Sequence, residues 1–409
     1  MSQRPDILYF TLFPWDNAYS SVSLSFTREF AKHGRIFYIN HPYTVKDFVT
    51  GLQDPNIKKR RGDLLRNRMR YETVPELPEN VIAVHPPLVI PNNFLPPGKM
   101  YDYLWQYNHR VVMDTIEQVV KDYQLKDYIY VNCFNPFFGA TLPRPRFKPL
   151  LNIYQCIDDM YEDVYTARHA AKLEEKAIAE ADVVTVTSLN LKKIKEHLNP
   201  KMYTLHNAVD STIFEQALST TLPRPAEIAH VTTPIIGFTG NINECRLDYP
   251  LIKRVALEHP DKTLVMVGPL NSDDYKQHGL DQLPNVIFTG GKHISELPAF
   301  LQHFDCTIIP FLCNRLTASI YPLKINEYLA AGKAVVSTSF SIDIRTFSDY
   351  IYLADDADAF IRLIDRAVAE NDPEQIKIRS EVAASNNWTN RVREFWDIVE
   401  QHVPALVAS

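Results

Sequence analysis

Cysteine is sparse, at five of 409 residues. Cys133, Cys156, Cys245, Cys306 and Cys313 are widely spaced, with no CxxC pair and no histidine at metal-ligand spacing beside them. That pattern excludes a disulfide framework and a zinc site of the usual spacing, and it fits small hydrophobes in a reducing cytoplasm. Long apolar runs are absent too. The stretch between Asp6 and Pro14 is too short for a signal peptide, and nothing later reaches bilayer length. An excess of positive charge is also missing, since 43 Lys and Arg against 49 Asp and Glu give a net charge of −6. The chain as a whole is therefore not an electrostatic nucleic-acid binder. Glycine is scarce at 12, and there is no low-complexity segment or internal repeat. With 45% hydrophobic and 22% charged residues, disorder is excluded and two or three domains of about 150 residues are expected.

What is present is alternation. Apolar, β-branched runs alternate with amphipathic stretches of helical length, the pattern of parallel sheets covered by helices. The first half predicts strands at 7–13, 35–40, 81–84, 128–133, 150–156, 183–187 and 202–205, with helices at 21–32, 101–124 and 170–181. A polar, proline-containing stretch at 219–229 then leads to strands at 235–239, 264–268, 286–289, 306–310, 334–337 and 351–353. The fold class expected is α/β, two doubly wound Rossmann-like domains at 1–206 and 207–385. Such pairs normally bind a ligand in the cleft at the carboxyl ends of their strands. Residues 386–409 form a terminal helix, apolar at Trp388, Val392, Phe395, Trp396 and Val399.

Residues 58–70, KKRRGDLLRNRMR, break this regularity with Lys58, Lys59, Arg60, Arg61, Arg66, Arg68 and Arg70 against the single acid Asp63. If helical, Leu64, Leu65 and Met69 give a narrow apolar face among cations, suited to peripheral contact with an anionic membrane. A solvated loop is the other reading.

The segment at 319–336, SIYPLKINEYLAAGKAVV, carries the most chemistry. Pro322 suits a first helical turn and Gly332 a C-terminal cap, so a helix with defined ends is expected. Backbone N–H groups around Tyr321, Pro322 and Leu323, the positive dipole end and Lys324 together favour a diphosphate. Glu327 lies three residues on, on the same face, where it could accept hydrogen bonds from ribose hydroxyls. Taken alone, Lys324 and Glu327 read equally well as a surface ion pair.

These residues resemble the sugar-nucleotide signature of the retaining GT-B glycosyltransferases of family four. Three further segments are similar to that family in order: LHNAVDSTIF at 205–214, IGFTGN at 236–241, and NVIFTGGKHISELPAFLQHFDCTIIP at 285–310. The branch most closely resembled builds bacterial surface polysaccharides, including teichuronic-acid-type transferases. The resemblance implies a GT-B fold whose C-terminal helix crosses back to the N-terminal domain. It implies transfer of a sugar from a nucleoside-diphosphate donor to a hydroxyl of a glycan or glycolipid, with retention, by an enzyme on the cytoplasmic side. Ribose binding then falls to Glu327, the glycine turn to Gly240 and Asn241, and the diphosphate to Lys324 and Arg246. Arg246 has the bidentate geometry phosphate oxygens favour, though Glu244 or Asp248 could instead hold it in a surface pair. The sequence departs from the family at Ser319, where an acid contacting the transferred sugar is usual.

In the N-terminal domain, Trp15, Asp16, Asn17 and Tyr19 follow the first strand, Asn135 follows the strand at 128–133, and Asp158 and Asp159 follow the strand at 150–156. All belong to the carboxyl edge of the sheet. Trp15, Asn17, Tyr19 and Asn135 are the candidate acceptor contacts; Asp16, Asp158 and Asp159 are the candidate catalytic carboxylates, any one of which could act as base or orient a hydroxyl. Where some family members carry a histidine, Phe134 and Asn135 stand instead; His41, His109 and His206 receive no catalytic role. No cofactor and no metal are expected, because GT-B enzymes neutralise the leaving diphosphate with helix dipoles and basic side chains; Asp356-Ala357-Asp358 reads as a helix start. Other readings are a sugar-nucleotide epimerase or phosphorylase of the same architecture, or a non-catalytic sugar-nucleotide-binding or glycan-binding subunit.

Overall fold

The computed structural model describes residues 4–16, 22–161, 164–370 and 372–406. The chain forms two compact units, one of Met1–Leu205 with Val392–Ser409 and the other of His206–Arg391.

The first unit is built on eight strands: β1 (Asp6–Thr11), β2 (Ile36–Ile39), β3 (Arg70–Thr73), β4 (Val81–His85), β5 (Tyr128–Cys133), β6 (Leu151–Cys156), β7 (Val183–Val186) and β8 (Met202–Thr204). Their spatial order is β3-β4-β2-β1-β5-β6-β7-β8, parallel except for β3, which pairs antiparallel with β4. Strands such as IFYI and YIYVNC are buried along their whole length, as expected for a sheet covered on both faces. The Lys99–Asp122 helix covers one face with Val112, Met113, Ile116 and Val119, packed around Leu8, Phe37 and Tyr130. The Trp388–His402 helix supplies Phe395, 4.7 Å from Phe30 between ring centres, and Trp396, which lies under the Arg4 guanidinium.

The edge beyond β4 corrects one expectation. The basic segment is a helix, Pro55–Leu65, capped by Asp54 and followed by β3. Its apolar face points into the protein: Ile57 and Leu64 form a buried cluster with Phe48. Arg60 is 2% exposed, paired with Asp16 and Glu72, and Lys59 pairs with Glu72 as well. The hydrophobic stripe required for lying on a membrane is therefore already consumed by the fold, and Leu65 alone remains strongly exposed.

The second unit has β9 (Ile235–Thr239), β10 (Thr263–Val267), β11 (Val286–Gly290), β12 (Cys306–Ile309), β13 (Val335–Thr338) and β14 (Tyr352–Ala354). The order β11-β10-β9-β12-β13-β14 is parallel throughout. Successive strands run outward from β9 in one direction and from β12 in the other. The chain thus reverses its winding between these two strands, and their carboxyl ends form the crevice where ligands of open α/β sheets bind.

Candidate active site

That crevice is where the polar groups of the second unit gather. β9 ends at Thr239 and turns at Gly240, whose φ of +135° few side-chain-bearing residues adopt. A Cβ built on Gly240 would fall on Lys324 Cε and Nζ, so the absent side chain leaves the space the lysine occupies. Gly268, at the end of β10, repeats the device, since a Cβ there would strike the Gly240 carbonyl. The Tyr328 hydroxyl accepts the Thr239 N–H at 2.8 Å and so ties the helix that carries Lys324 to the end of β9.

That helix is Leu323–Ala330, entered through Pro322 with no side chain capping its first turn. Its leading N–H groups and positive dipole end are thus held beside Gly240. Lys324 and Glu327 are half-buried, and neither head group closes an ion pair within 4.0 Å with a described residue. Burial pushes the Lys324 ammonium below its ordinary pKa; Glu327 opposes that shift and the Arg246 guanidinium reinforces it. Burial likewise pushes the Glu327 carboxyl up, against the pull of Lys324. The two cations therefore repel one another in a partly desolvated setting, and an anion carrying more than one charge would relieve both.

Arg246 is not tied into the acidic pairing the sequence left open. Asp248 caps the Tyr249–Glu258 helix by accepting the Leu251 N–H at 2.9 Å. The Arg246 backbone is fixed on both sides, its N–H donating to Asn243 Oδ1 at 3.2 Å and its carbonyl accepting from Leu312 N–H at 2.8 Å. Asn241 is exposed and accepts from Asn271 Nδ2 at 3.0 Å.

Two proposed donor contacts need correction. Ser319 has no exposed surface. Tyr321 is 5% exposed, its ring stacked on His206 with centres 4.6 Å apart and its hydroxyl accepting from Asn326 Nδ2 at 3.1 Å. Both support the entry to the helix from below. The His206 imidazole also lies 3.6 Å from the carboxylate of Asp343, itself fully buried. Asp356 caps the Ala357–Ala369 helix and Asp358 pairs with Arg254 at 2.8 Å, so the Asp-Ala-Asp run is accounted for as a helix start. No group of three or more His, Cys, Asp or Glu side chains among the described residues could hold a metal ion.

In the first unit, Trp15 and Asp16 reach the carboxyl edge of the sheet, but Asp16 is held by Arg60. The Trp15 N–H donates to Asn40 Oδ1 at 3.1 Å, and the Lys59 and Arg60 cations lie about 6 Å from its ring. Asp16, Arg60, His41 and His85 line a small recess that is open to solvent. Burial takes the pKa of His41 down to about 4 and that of His85 to about 3, so both are neutral imidazoles at pH 7. Asn135 is a correction: it is fully buried, with its amide donating to the Thr11 carbonyl at 3.0 Å and facing His41 Nδ1 at 3.1 Å. It fastens the turn after β5 and has no surface for an acceptor. Asp159 is 5% exposed, while Asp158 is partly exposed with its carboxylate accepting the Asp159 N–H at 2.9 Å. Asn17 and Tyr19 lie outside the described residues.

The Glu174–Lys195 pair was not foreseen; it is 2% and 6% exposed and also engages Cys156 and Tyr154. Twenty-one residues separate two charges that each look like part of a solvated helix face. No local pattern distinguishes them.

Comparison with known proteins bears on the fold and the class of reaction. Residues 233–370 match the family described as glycosyl transferases group 1. Over 230 residues the chain is 30% identical to TuaH of Bacillus subtilis (strain 168), provisionally assigned as a teichuronic acid biosynthesis glycosyltransferase. That alignment covers 54% of this chain, which thus spans just over half (57%) of that relative's length. Among solved structures, the trehalose-6-phosphate phosphatase N-terminal domain of Candida albicans superposes with a TM-score of 0.68 over 98% of this chain and 97% of its own, at 12% identity. Sucrose-phosphate synthase of Thermosynechococcus elongatus does so with a TM-score of 0.66 over 99% and 100%, at 15% identity. At such identities the likeness speaks for the fold. The chain has the GT-B fold of two Rossmann-like units, and the second of them contains the residues, 233–370, that are similar to glycosyl transferases group 1.

Proposed function

We propose that the chain transfers a sugar, with retention, from a nucleoside-diphosphate donor to a hydroxyl of a glycan or glycolipid acceptor in surface polysaccharide synthesis. The observation that carries this reading is the cluster at Gly240: two cations, Lys324 and Arg246, that close no ion pair with a described residue, beside an uncapped helix start, with Glu327 one turn further on. The diphosphate lies against Lys324, Arg246 and the leading N–H groups, and Glu327 accepts hydrogen bonds from the ribose. During transfer the bond from the sugar's anomeric carbon to the diphosphate oxygen breaks, and a bond to the acceptor oxygen forms. The departing diphosphate gains negative charge, which these groups stabilise in place, and it is itself basic enough to take the acceptor's proton. The acceptor belongs to the carboxyl edge of the first unit, where Asp158 and Trp15 retain exposed surface.

The similarity of residues 233–370 to group 1 transferases and the 30% identity to TuaH support the class of reaction and the polysaccharide setting. Ser319 keeps a second reading in view, a sugar-nucleotide-binding subunit without turnover. An assay of diphosphate release from UDP-, GDP-, CDP-, dTDP- and ADP-sugars, with glycan and glycolipid acceptors, separates the two. Acceptor-dependent release is expected with one donor, reduced about 10²–10³-fold by Lys324→Ala, the loss typical of removing one preorganised group that stabilises transition-state charge. Binding without release on any acceptor would favour the subunit reading.

A further inference from the structure

The expectation that the cysteines are small buried hydrophobes holds for three of the five. Cys133, Cys156 and Cys306 have no exposed surface, and burial pushes their thiols up, Cys133 to about 12, so they stay protonated and out of reach of solvent. Cys245 and Cys313 are exposed. Cys245 lies in the turn that follows β9 and Cys313 in the segment that follows β12, the two strands between which the winding reverses, so both belong to the edge where the crevice opens. These two segments run against one another. Leu247 and Phe311 form an antiparallel bridge, flanked by the Asp248 N–H donating to the Pro310 carbonyl at 2.9 Å and the Leu312 N–H donating to the Arg246 carbonyl at 2.8 Å. Hydrogen bonds on both sides of a pair mark the closer kind of antiparallel pairing, with Cα atoms about 4.5 Å apart. Two residues further along each segment, the same register sets Cys245 opposite Cys313. The chain turns at this point, the Leu247 N–H donating back to the Asn243 carbonyl at 3.1 Å, but Asn314 Nδ2 donates to the Cys245 carbonyl at 3.3 Å and keeps the turn against the facing segment. Disulfides span Cα separations of about 4.4–6.8 Å, which facing segments fastened in this way fall within. Arg246 sits between the two fastenings.

We propose that Cys245 and Cys313 are an oxidation site, forming a reversible disulfide that ties down the Arg246 turn and lowers affinity for a nucleoside diphosphate. The bridge follows from the facing segments, whereas its effect on affinity rests on the donor site proposed above. The oxidant is a low-molecular-weight disulfide such as oxidised glutathione. One protein thiolate attacks a sulfur of that disulfide, whose S–S bond breaks as a glutathione thiolate leaves. The second protein thiolate then attacks the protein sulfur of the mixed disulfide and expels the other glutathione. Two protein thiols are oxidised to one disulfide, one oxidised glutathione is reduced to two thiols, and the two protons pass to the departing thiolates. Once tied, the turn can no longer shift, and Arg246 loses the freedom to close with Lys324 on a diphosphate. Exposed disulfides are the labile, regulatory kind, and in a reducing compartment such bonds form transiently.

The test treats the reduced full chain with oxidised glutathione and maps its peptides by mass. One linked pair of peptides holding Cys245 and Cys313 is expected, lighter than the two thiol peptides by two hydrogens and separated again by dithiothreitol. Titration of UDP, GDP, CDP, dTDP and ADP into reduced and oxidised protein should show the affinity for the diphosphate that binds falling at least about tenfold on oxidation, the size of losing one hydrogen bond to a charged group. Cys245→Ser and Cys313→Ser should each abolish this response, while binding as the reduced wild type does and unfolding at the same denaturant concentration. Glutathione adducts without an internal bridge, a bridge between two chains, a link to any of the other three cysteines, or equal affinity of the oxidised and reduced forms would each overturn the proposal. If the reduced chain binds none of the five diphosphates, the donor site fails, and the peptide map still decides the bridge.

Discussion

At the scale of single residues, the site depends on one glycine more than on any charged group. Gly240 holds a backbone conformation at φ +135° in space that Lys324 already fills. Gly240→Ala should therefore destabilise the second unit by about 1–3 kcal/mol, the range for a residue forced into such a region. It should also displace Lys324 and weaken diphosphate binding, which chemical denaturation and titration on the same sample would show together. The motif IGFTGN identified this glycine through family resemblance, but the reason for it, a lysine lying across its backbone, belongs to a residue 84 positions later. His41 was visible as a histidine near the carboxyl edge, and its burial was not. With a folded pKa of about 4 against an ordinary value near 6.5, it stays neutral in the fold while the unfolded chain takes up a proton. Its contribution is complete above pH 6.5 and is lost as pH falls from there towards 4, by up to about 1.4 kcal/mol per pH unit. His41→Gln should flatten the acid limb of a stability profile between pH 6.5 and 4, and an unchanged slope would count against the burial.

At the scale of elements, period and capping were legible wherever a segment is buried on its own account. β5 and β9 match the expected strands at 128–133 and 235–239, and Gly332 closes the Leu323–Ala330 helix with φ +66°. The failures come from partnership at a distance. β3 is only partly buried and starts at Arg70, so its sequence shows no strand period; its place comes from antiparallel pairing with β4. The helix before it read as a cationic surface because Asp16 and Glu72, which neutralise Arg60, are 44 and 12 residues away. Arg60→Ala would leave Asp16 enclosed without its cation, while Glu72 keeps Lys59, and should cost about 3–5 kcal/mol. Fluorescence of Trp15, whose ring faces the Arg60 guanidinium, would report the loss locally, and a variant as stable as wild type would contradict the pairing.

At the scale of the whole molecule, two doubly wound sheets follow from alternation alone, because apolar strands joined by amphipathic helices have few other ways to bury both sheet faces. The proposed donor site was legible for a related reason. In the second unit the residues proposed to bear on a diphosphate lie on short turns at strand ends and on one helix start, so Gly240 stood out within IGFTGN and Lys324 and Glu327 within the segment at 319–336, with Arg246 five residues beyond the first. The acceptor edge of the first unit was less legible, since its polar groups spend themselves on one another: Asn135 on Thr11, Asp16 on Arg60, and Trp15 on Asn40. The account therefore turns on the second unit, and the most direct test is calorimetric titration of UDP, GDP, CDP, dTDP and ADP into the wild-type protein and Glu327→Ala. One diphosphate should bind well, and the substitution should weaken it by about 1–3 kcal/mol, the loss expected for hydrogen bonds to a charged group. Binding of none of the five, or equal binding by Glu327→Ala, would make the helix after Pro322 a structural element and contradict the proposed donor site.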